Sequence, residues 1–277
     1  MGNAGLQSIL DWAKAERGFD AVGYCPSVMA TRVASRMSAT GASGYGEYLN
    51  MVRTSPAELD LLVEALTLKV SSFFRDPIVF AYLHDSVLPA LLAEKAAKGE
   101  RGVRVWSAGC AHGEEPYSVA ILLHELAQRE HKAPEDAIFA TDIDEKALAR
   151  AKEALYTGES LASVPYGLVT TCFNREGELF RVLPAVARRV RFSVHDMLDR
   201  RTASPSDSVF GTFDLILCRN VLIYFQPDSQ DIIAQKLYRS LAAGGYLLLG
   251  QTEILPEAWQ GRFRRVTDCC RLYRKGK

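Results

Sequence analysis

The sequence lacks the patterns that mark metal-binding, disulfide-stabilised, secreted or membrane-spanning proteins. It has six cysteines, none of them in a Cys-x-x-Cys pair, and no cysteine–histidine cluster has the spacing of a zinc site. No apolar run approaches the roughly 20 residues that span a bilayer. The N-terminus lacks a basic region followed by an apolar core, so no signal peptide is expected. These absences predict no metal, no membrane insertion, reduced thiols and a cytoplasmic location.

The sequence also lacks an excess of charge of either sign. The 33 Lys and Arg residues balance 33 Asp and Glu residues, which disfavours binding of nucleic acid or an anionic membrane through the overall field. With 48% hydrophobic and 24% charged residues, the 277-residue chain has an ordinary globular composition. It can bury a core without disulfides or a structural metal, in one large domain or two modest ones.

Residues 1–95 show helical spacing and no strand pattern. Ser55 before Pro56, with Glu58 three residues later, has the form of a helix cap with proline at the first helical position. A further helix is expected over residues 77–98. We therefore predict an all-helical start to the chain.

Strand and helix patterns alternate after residue 100, which predicts a parallel, doubly wound sheet. Residues 155–189 interrupt the alternation and predict an inserted antiparallel subdomain. In a strand, the adjacent Cys269 and Cys270 would point to opposite faces. The expected strands are 103–109, 138–142, 190–194, 213–218 and 246–250, with helices 114–129, 144–154 and 227–242 between them and an antiparallel pair 263–266 and 270–273 at the end.

Ligands of doubly wound sheets bind at the carboxyl ends of the strands. The loop after the first strand has small residues such as Gly109 but neither a Walker loop nor a Gly-x-Gly-x-x-Gly fingerprint. Glu114 and Glu115 then begin a helix, where they would repel a phosphate, and they are also explained by helix capping alone. Asp142 ends the second strand, where a carboxylate can accept hydrogen bonds from ribose hydroxyls.

Two further strand ends carry polar residues. His195, Asp196 and Met197 could present a polar edge and an apolar face to an adenine ring, or simply form a turn. Arg219 and Asn220 directly follow an apolar strand and are poorly explained by core packing.

Four motifs, in this order, resemble the chemotaxis receptor glutamate methyltransferases of the CheR family. The resemblance covers about residues 8–273, and the four motifs together are far more specific than any one of them. They are SSFFRD at 71–76, GEEPYS at 113–118, ATDID at 140–144 and CRNVLIYF at 218–225.

The resemblance implies an α/β protein with two domains. A helical N-terminal domain, residues 1–80, would recognise the substrate. A class I, Rossmann-like S-adenosylmethionine methyltransferase domain would occupy residues 81–277, with a small antiparallel β-subdomain inserted at about residues 157–190. The implied activity is methylation of glutamate side chains on the cytoplasmic helices of chemoreceptors, which forms methyl esters and S-adenosylhomocysteine.

The resemblance also assigns roles to single residues. Arg75 and Tyr224 would flank the reacting methyl group, Arg75 steering the acceptor carboxylate and the Tyr224 ring facing the sulfonium. The alternative interpretation of Arg75 is a salt bridge with Asp76 or another acidic neighbour. The implied cofactor-binding residues are Ser71, Arg75, Gly109, Glu115, Asp142, Asp196, Met197, Arg219 and Asn220.

The sequence departs from the family pattern in three places. Lys69 stands where the family commonly has Asn and cannot accept a hydrogen bond as Asn does. The Gly-Gln-Thr-Glu sequence at 250–253 replaces the commoner Gly-His-Ser-Glu. The loop at 174–178 is short beside members that dock a receptor's C-terminal pentapeptide, so we expect no such tethering.

Substrate recognition has a candidate in the helical domain. No acidic residue occurs between Asp20 and Glu47, and Arg32 and Arg36 lie four residues apart on one helix face. That face could meet a glutamate-rich receptor helix, or be an ordinary solvated surface. Two alternatives to the implied function stay open: a methyltransferase of the same build that modifies a protein outside chemotaxis, and a module that binds the cofactor without turnover.

Overall fold

The computed structural model describes residues 2–67, 71–100, 102–129, 135–208 and 211–276. Lys69 lies outside the described residues. The chain forms two compact units, which we call the helical unit (Met1–Lys69 with Tyr224–Ser229) and the α/β unit (Val70–Ile223 with Gln230–Lys277). The boundary expected after residue 80 stays a prediction.

Four helices build the helical unit around a core that includes Ile9, Val33, Tyr48 and Leu62. Ser55 accepts a hydrogen bond from the Glu58 N–H and caps the fourth helix, as predicted. The helices are α1 Gly2–Arg17, α2 Pro26–Thr40, α3 Tyr45–Thr54 and α4 Pro56–Leu66.

Segment Tyr224–Ser229 packs with the helical unit although it begins within the last predicted motif, at 218–225. An antiparallel bridge joins Tyr24 to Phe225, whose rings lie 4.6 Å apart between centroids. The Cys25 N–H donates to the Tyr224 carbonyl at 2.8 Å. The CRNVLIYF motif is therefore divided between the two units, which the sequence pattern did not indicate.

The α/β unit begins with a nearly continuous helical run and continues with alternating strands and helices. Its first elements are α5 Pro77–Tyr82, a π-helix Leu83–Val87, α6 Leu88–Ala97, β1 Arg104–Ala108, α7 Glu114–Arg129, β2 Ala137–Asp142 and α8 Glu145–Glu153. The inserted segment holds β3 Leu155–Thr157, α9 Tyr166–Cys172, β4 Phe173–Glu176, β5 Leu179–Val182 and α10 Pro184–Ala187. The remainder is β6 Val190–Val194, β7 Phe213–Cys218, a 3-10 turn Leu222–Tyr224, α11 Pro227–Ser240, β8 Leu241–Leu249, α12 Glu257–Gln260, β9 Phe263–Arg265 and β10 Leu272–Lys275.

The main sheet has the order β6-β2-β1-β7-β8-β10-β9, and a separate sheet has the order β3-β5-β4. The first five strands of the main sheet pair in parallel and β10 pairs antiparallel with both β8 and β9. The small sheet is antiparallel throughout. This topology confirms the predicted doubly wound sheet with an antiparallel insertion and a closing antiparallel pair.

Two local predictions are wrong. The helix expected to reach residue 242 ends at Ser240, because Leu241 already pairs with Phe213 as the first residue of β8. Cys269 and Cys270 lie in a bend before β10 and not in a strand.

The order in which the chain adds strands to the sheet reverses between β1 and β7, two of its most buried strands. From β1 the chain proceeds outward through β2 to β6, and it then returns to the other side of β1 to form β7 and β8. The loops that follow β1 and β7 therefore meet at one carboxyl edge, the place where such sheets bind ligands.

Candidate cofactor and active site

The loops after β1 and β7 touch where Gly109 faces Val221. Gly109 has a φ of +75°, and a Cβ on it would lie 2.5 Å from the Val221 side chain. Its N–H donates to the Thr141 carbonyl at 2.8 Å, which joins the loop to β2. The position requires glycine both for its backbone angle and for the close approach of a neighbour.

Asp142, at the end of β2, shapes two adjacent turns. Its Oδ2 accepts the Ala111 N–H at 2.9 Å and its Oδ1 accepts the Asp144 N–H at 3.0 Å. Asp144 in turn caps α8. Asp142 thus has a structural role in the loop after β1, and its expected contact with a ribose stays a prediction.

Arg219 is the centre of a buried ionic cluster that joins three segments of the α/β unit. Its guanidinium pairs with Asp76, donates to the Arg75 carbonyl at 3.0 Å and lies 3.5 Å from Glu115 Oε2. The Arg219 side chain is 2% exposed and stacks over the Phe80 ring. The expected direct cofactor contact of Arg219 stays a prediction, whereas its bonds show that it positions Arg75 and Asp76.

Glu115 completes this cluster from the first turn of α7. Its Oε1 accepts the Ser107 hydroxyl at 2.7 Å. Burial raises the pKa of Glu115, and the positive charge of Arg219 opposes that rise. The cluster of Asp76, Glu115 and Arg219 has one more carboxylate than guanidinium, so a ligand with positive charge would be stabilised beside it.

Glu253 anchors the loop after β7 and was not predicted as a site residue. Its carboxylate, 2% exposed, accepts the N–H groups of Gly250, Asn220 and Val221 at 2.6 to 2.8 Å. A third N–H of the same loop, that of Ile223, lies 3.3 Å away. The Gly-Gln-Thr-Glu motif was noted only as a departure from the family pattern; its available signal was a glutamate three residues after the predicted strand 246–250.

The SSFFRD segment packs against α7 and the inserted subdomain. Phe73 is fully buried and makes edge contacts with the rings of Tyr156 and Phe173. The Phe74 N–H donates to the Ser118 hydroxyl at 2.9 Å. These contacts fix the main chain that leads to Arg75.

Ser71, the first residue of that segment, lies beside Glu114, where its side chain acts to lower the pKa of that carboxyl. Burial raises the pKa of Glu114 above its ordinary value. Ser71 thus lies beside the start of α7, and its expected contact with the cofactor stays a prediction.

His195 lies beneath the loop expected at the adenine. The Lys236 ammonium lies 3.2 Å from His195 Nε2 and donates to the Asp196 carbonyl at 2.9 Å. Burial, together with the Lys236 charge, lowers the pKa of His195 to about 4. Met197 is buried and Asp196 is exposed at this strand end, and their roles stay predictions.

Three buried side-chain atoms around these loops have no hydrogen-bond partner among the described residues: Glu114 Oε2, Arg219 Nε and Asn220 Oδ1. Two of the three are acceptors. Buried acceptors without a partner cost free energy unless a donor satisfies them, which indicates a ligand with donor groups.

Both parts of the chain match models of one family. Residues 4–67 match the CheR methyltransferase all-alpha domain, and residues 69–269 match the CheR methyltransferase SAM binding domain. The chain belongs to the CheR methyltransferase family. Its cofactor is S-adenosylmethionine, and it is a methyltransferase of chemotaxis.

Relatives at about one third sequence identity align with most of the chain. A chemotaxis protein methyltransferase of Listeria monocytogenes is 33% identical over 87% of this chain and 86% of its own. Chemotaxis protein methyltransferase 1 of Pseudomonas aeruginosa is 34% identical over 82% of each chain. An uncharacterized 104.1 kDa protein of Rhodobacter capsulatus is 33% identical over 84% of this chain, which spans only 23% of that larger protein.

Solved structures resemble the chain more distantly. TrmN from Thermus thermophilus has a TM-score of 0.37 at 17% identity, over 68% of this chain and 48% of its own. PKMT2 from Rickettsia typhi in complex with AdoHcy has a TM-score of 0.33 at 16% identity, over 53% and 20%.

The observed site fits S-adenosylmethionine. The cofactor has a sulfonium and an ammonium group, which suit the excess carboxylate around Arg219 and the unpartnered acceptor of Asn220. Within the described ranges, no group of three or more His, Cys, Asp or Glu side chains could hold a metal ion. No helix in the described part of the chain is long and apolar enough to cross a membrane.

The structure divides the predicted residues between the two units. The α/β unit contains Ser71, Arg75, Gly109, Glu115, Asp142, Asp196, Met197, Arg219 and Asn220, whereas the helical unit contains Arg32, Arg36 and Tyr224. Arg36 donates to both carboxylate oxygens of Glu58, at 2.6 and 3.1 Å. Glu58 also accepts the Tyr48 hydroxyl at 2.7 Å. The charge of Arg36 is therefore already paired within its own unit.

Proposed function

We propose that this methyltransferase transfers the methyl group of S-adenosylmethionine to glutamate side chains on the cytoplasmic helices of chemoreceptors, forming methyl esters. The observation that carries the proposal is the fixed position of Arg75. Arg219 holds the Arg75 carbonyl at 3.0 Å and pairs with the adjacent Asp76. A guanidinium on a restrained main chain is suited to orient a carboxylate acceptor.

The acceptor chemistry needs positioning more than proton transfer. A glutamate side chain has an ordinary pKa of about 4.3 and is ionised at neutral pH, so its oxygen is already a nucleophile. Bound S-adenosylmethionine supplies the electrophilic methyl group. Holding reactants in line can contribute about 7–11 kcal/mol to lowering a barrier. His195 is not needed as a base, and Lys236 already occupies its Nε2.

The proposed cofactor contacts lie at the carboxyl edge of the sheet. Gly109 lets Val221 of the loop after β7 pack against the loop after β1, which shapes the edge that would hold the ligand, and Glu115 offers negative charge to the cationic end of the ligand. Asn220 Oδ1 offers an acceptor for its ammonium group. Asp142 would accept from the ribose while retaining its two backbone hydrogen bonds, because each carboxylate oxygen has two lone pairs.

Four more residues complete the proposed contacts. Ser71 and Arg75 would hold the methionine end, and Asp196 and Met197 the adenine. We propose that Tyr224 lies beside the sulfonium, and this proposal rests only on the position of Tyr224 in the CRNVLIYF motif.

Arg32 is the better candidate for the receptor contact. Arg32 is half-buried on α2, whereas the bidentate pair with Glu58 commits Arg36 to the helical unit. Replacing Arg36 would therefore disturb α2 against α4, which confounds any test of substrate binding. We propose Arg32 as a substrate-binding residue and Arg36 as the residue that fixes the helix presenting it.

The experiment is methyl transfer from labelled S-adenosylmethionine to a purified receptor cytoplasmic fragment. We expect label that alkali releases as methanol, since esters are base-labile, and no label on a fragment whose surface glutamates are replaced by alanine. Arg75→Ala should lower kcat by on the order of a hundredfold, while Arg264→Ala, an exposed arginine on β9, should not. Alkali-stable label, or full activity of Arg75→Ala, would overturn the proposal.

A further inference from the structure

Two adjacent thiols lie in the bend between β9 and β10 and take no part in the proposed reaction. Cys269 is exposed, Cys270 is 5% exposed, and the neighbouring Cys269 thiol adds to the rise that burial causes in the pKa of Cys270. The Thr267 hydroxyl donates to the Cys269 sulfur at 3.2 Å. Both cysteines occupy a bend, so their side chains are not held on opposite faces as they would be in a strand.

The next residue joins this bend to the site. The Leu249 N–H donates to the Arg271 carbonyl at 3.0 Å, and the Arg271 side chain donates to the Gln251 carbonyl at 3.2 Å. Gln251 belongs to the same short loop as Glu253, which holds the N–H groups of the loop after β7. A change in the backbone at the two cysteines would therefore move Arg271 and, through its hydrogen bonds, the loop that contains Gln251 and Glu253.

We infer that Cys269 and Cys270 form a modification site at which hydrogen peroxide converts the two thiols into an intrachain disulfide and weakens cofactor binding. The exposed Cys269 sulfur attacks the peroxide, forming a sulfenic acid and releasing one water. The Cys270 sulfur then attacks the Cys269 sulfur, forming the S–S bond and releasing a second water. Two sulfurs lose two electrons in total, the peroxide gains them, and the two thiol protons leave in the water.

The environments of the two thiols separate their roles. Burial raises the pKa of Cys270 to about 11, so this thiol is protonated at neutral pH and is a poor first nucleophile. Cys269 is exposed and accessible to the oxidant. Cys270 is the next residue in the chain and its pKa responds to the Cys269 thiol, so the resolving sulfur lies near the position where a sulfenic acid would form.

A tryptic digest tests the modification directly. Cleavage after Arg265 and Arg271 releases peptide 266–271, which contains both cysteines and no other. After peroxide and iodoacetamide, we expect this peptide to lack alkylation and to be lighter by two hydrogen atoms, with reversal by dithiothreitol. Cys269→Ser should abolish this product, and Cys25→Ser, the other partly exposed thiol, should not.

Calorimetry with S-adenosylhomocysteine tests the consequence. Oxidation should raise the Kd of the wild-type protein by about fivefold or more, dithiothreitol should restore it, and Cys269→Ser should not respond. Sulfinic acid at Cys269 alone, disulfide-linked dimers, or an unchanged Kd after disulfide formation would each overturn the inference. Neither measurement uses a methyl acceptor, so failure here is distinct from failure of the proposed function.

Discussion

Glu253 holds Asn220 in a left-handed backbone conformation through a hydrogen bond of 2.8 Å from the Asn220 N–H to Glu253 Oε2. The φ of Asn220 is +58°, in the left-handed region that is uncommon for residues other than glycine and in which asparagine is enriched. The same carboxylate accepts the N–H groups of Val221 and Gly250. The shape of the loop after β7 therefore depends on a side chain from the loop after β8.

Glu253→Gln should loosen that loop. The glutamine amide has one acceptor oxygen instead of two, and its NH2 group would face backbone N–H groups, with which it cannot form hydrogen bonds. We expect the free energy of unfolding to fall by about 1–3 kcal/mol and the affinity for S-adenosylmethionine to fall about tenfold or more. Chemical denaturation and calorimetry measure the two effects. Glu257→Gln, an exposed glutamate on α12, is the matched control and should change neither quantity.

Arg219→Met should destabilise the α/β unit by about 1.5–3 kcal/mol, because it leaves the partly buried carboxylates of Asp76 and Glu115 without a counter-charge. Adding Asp76→Asn to this variant should recover part of the loss, since one uncompensated charge is removed. Urea unfolding of the two single variants and the double variant gives the coupling energy. Strict additivity of the two changes would contradict the direct pairing of Arg219 with Asp76.

Glu115 should make cofactor affinity depend on pH. Burial raises the pKa of its carboxyl in the protein without ligand, and a cationic ligand favours the ionised form. The affinity for S-adenosylmethionine should therefore rise as pH increases through that raised pKa and then level off. Glu115→Gln should bind more weakly by about 10- to 100-fold, equivalent to a charge-assisted hydrogen bond, and should lose this pH dependence. Glu159→Gln, exposed in the inserted segment, should retain it.

Gly109→Ala should abolish cofactor binding at concentrations that saturate the wild-type protein. The new Cβ would require both an unfavourable φ and displacement of Val221. Gly177→Ala isolates the backbone part of this cost, because Gly177 has a φ of +64° with nothing within 4 Å of the added Cβ. It should cost about 1 kcal/mol of stability and leave affinity intact. Equal effects of the two substitutions would show that contact with Val221 does not matter.

His195 should reduce stability in mild acid. Its folded pKa of about 4 lies below the ordinary value of 6.5, so the unfolded chain binds a proton that the folded protein excludes. The stability that comes from keeping His195 neutral is fully present above pH 6.5. It is lost as pH falls towards 4, by up to about 1.4 kcal/mol per pH unit, because the unfolded chain then binds the proton. Urea unfolding of wild type and His195→Gln between these pH values should show a shallower decline for the variant. Parallel declines would mean that burial and the Lys236 charge, which Asp196 and Asp199 oppose, do not keep His195 neutral.

Sequence periodicity predicted most elements of the fold. β6 and β7 begin and end at the expected residues, as does α7, because alternating or helical spacing of apolar residues is a local property. The cap formed by Ser55 was readable for the same reason. A tertiary contact overrode the local pattern at one helix end. Leu241 was predicted to be helical, but it pairs with Phe213 as the first residue of β8.

The sequence by itself determined the order of the elements, the four motifs and the chemical character of the residues at the strand ends. Only the tertiary structure decided what those residues contact. Arg219 meets Asp76 across 143 residues of chain, and Glu253 reaches the loop after β7 because β7 and β8 are neighbours in the sheet. Periodicity extends over a few turns or pleats, whereas such pairings depend on how distant strands and loops stack, which no local pattern contains.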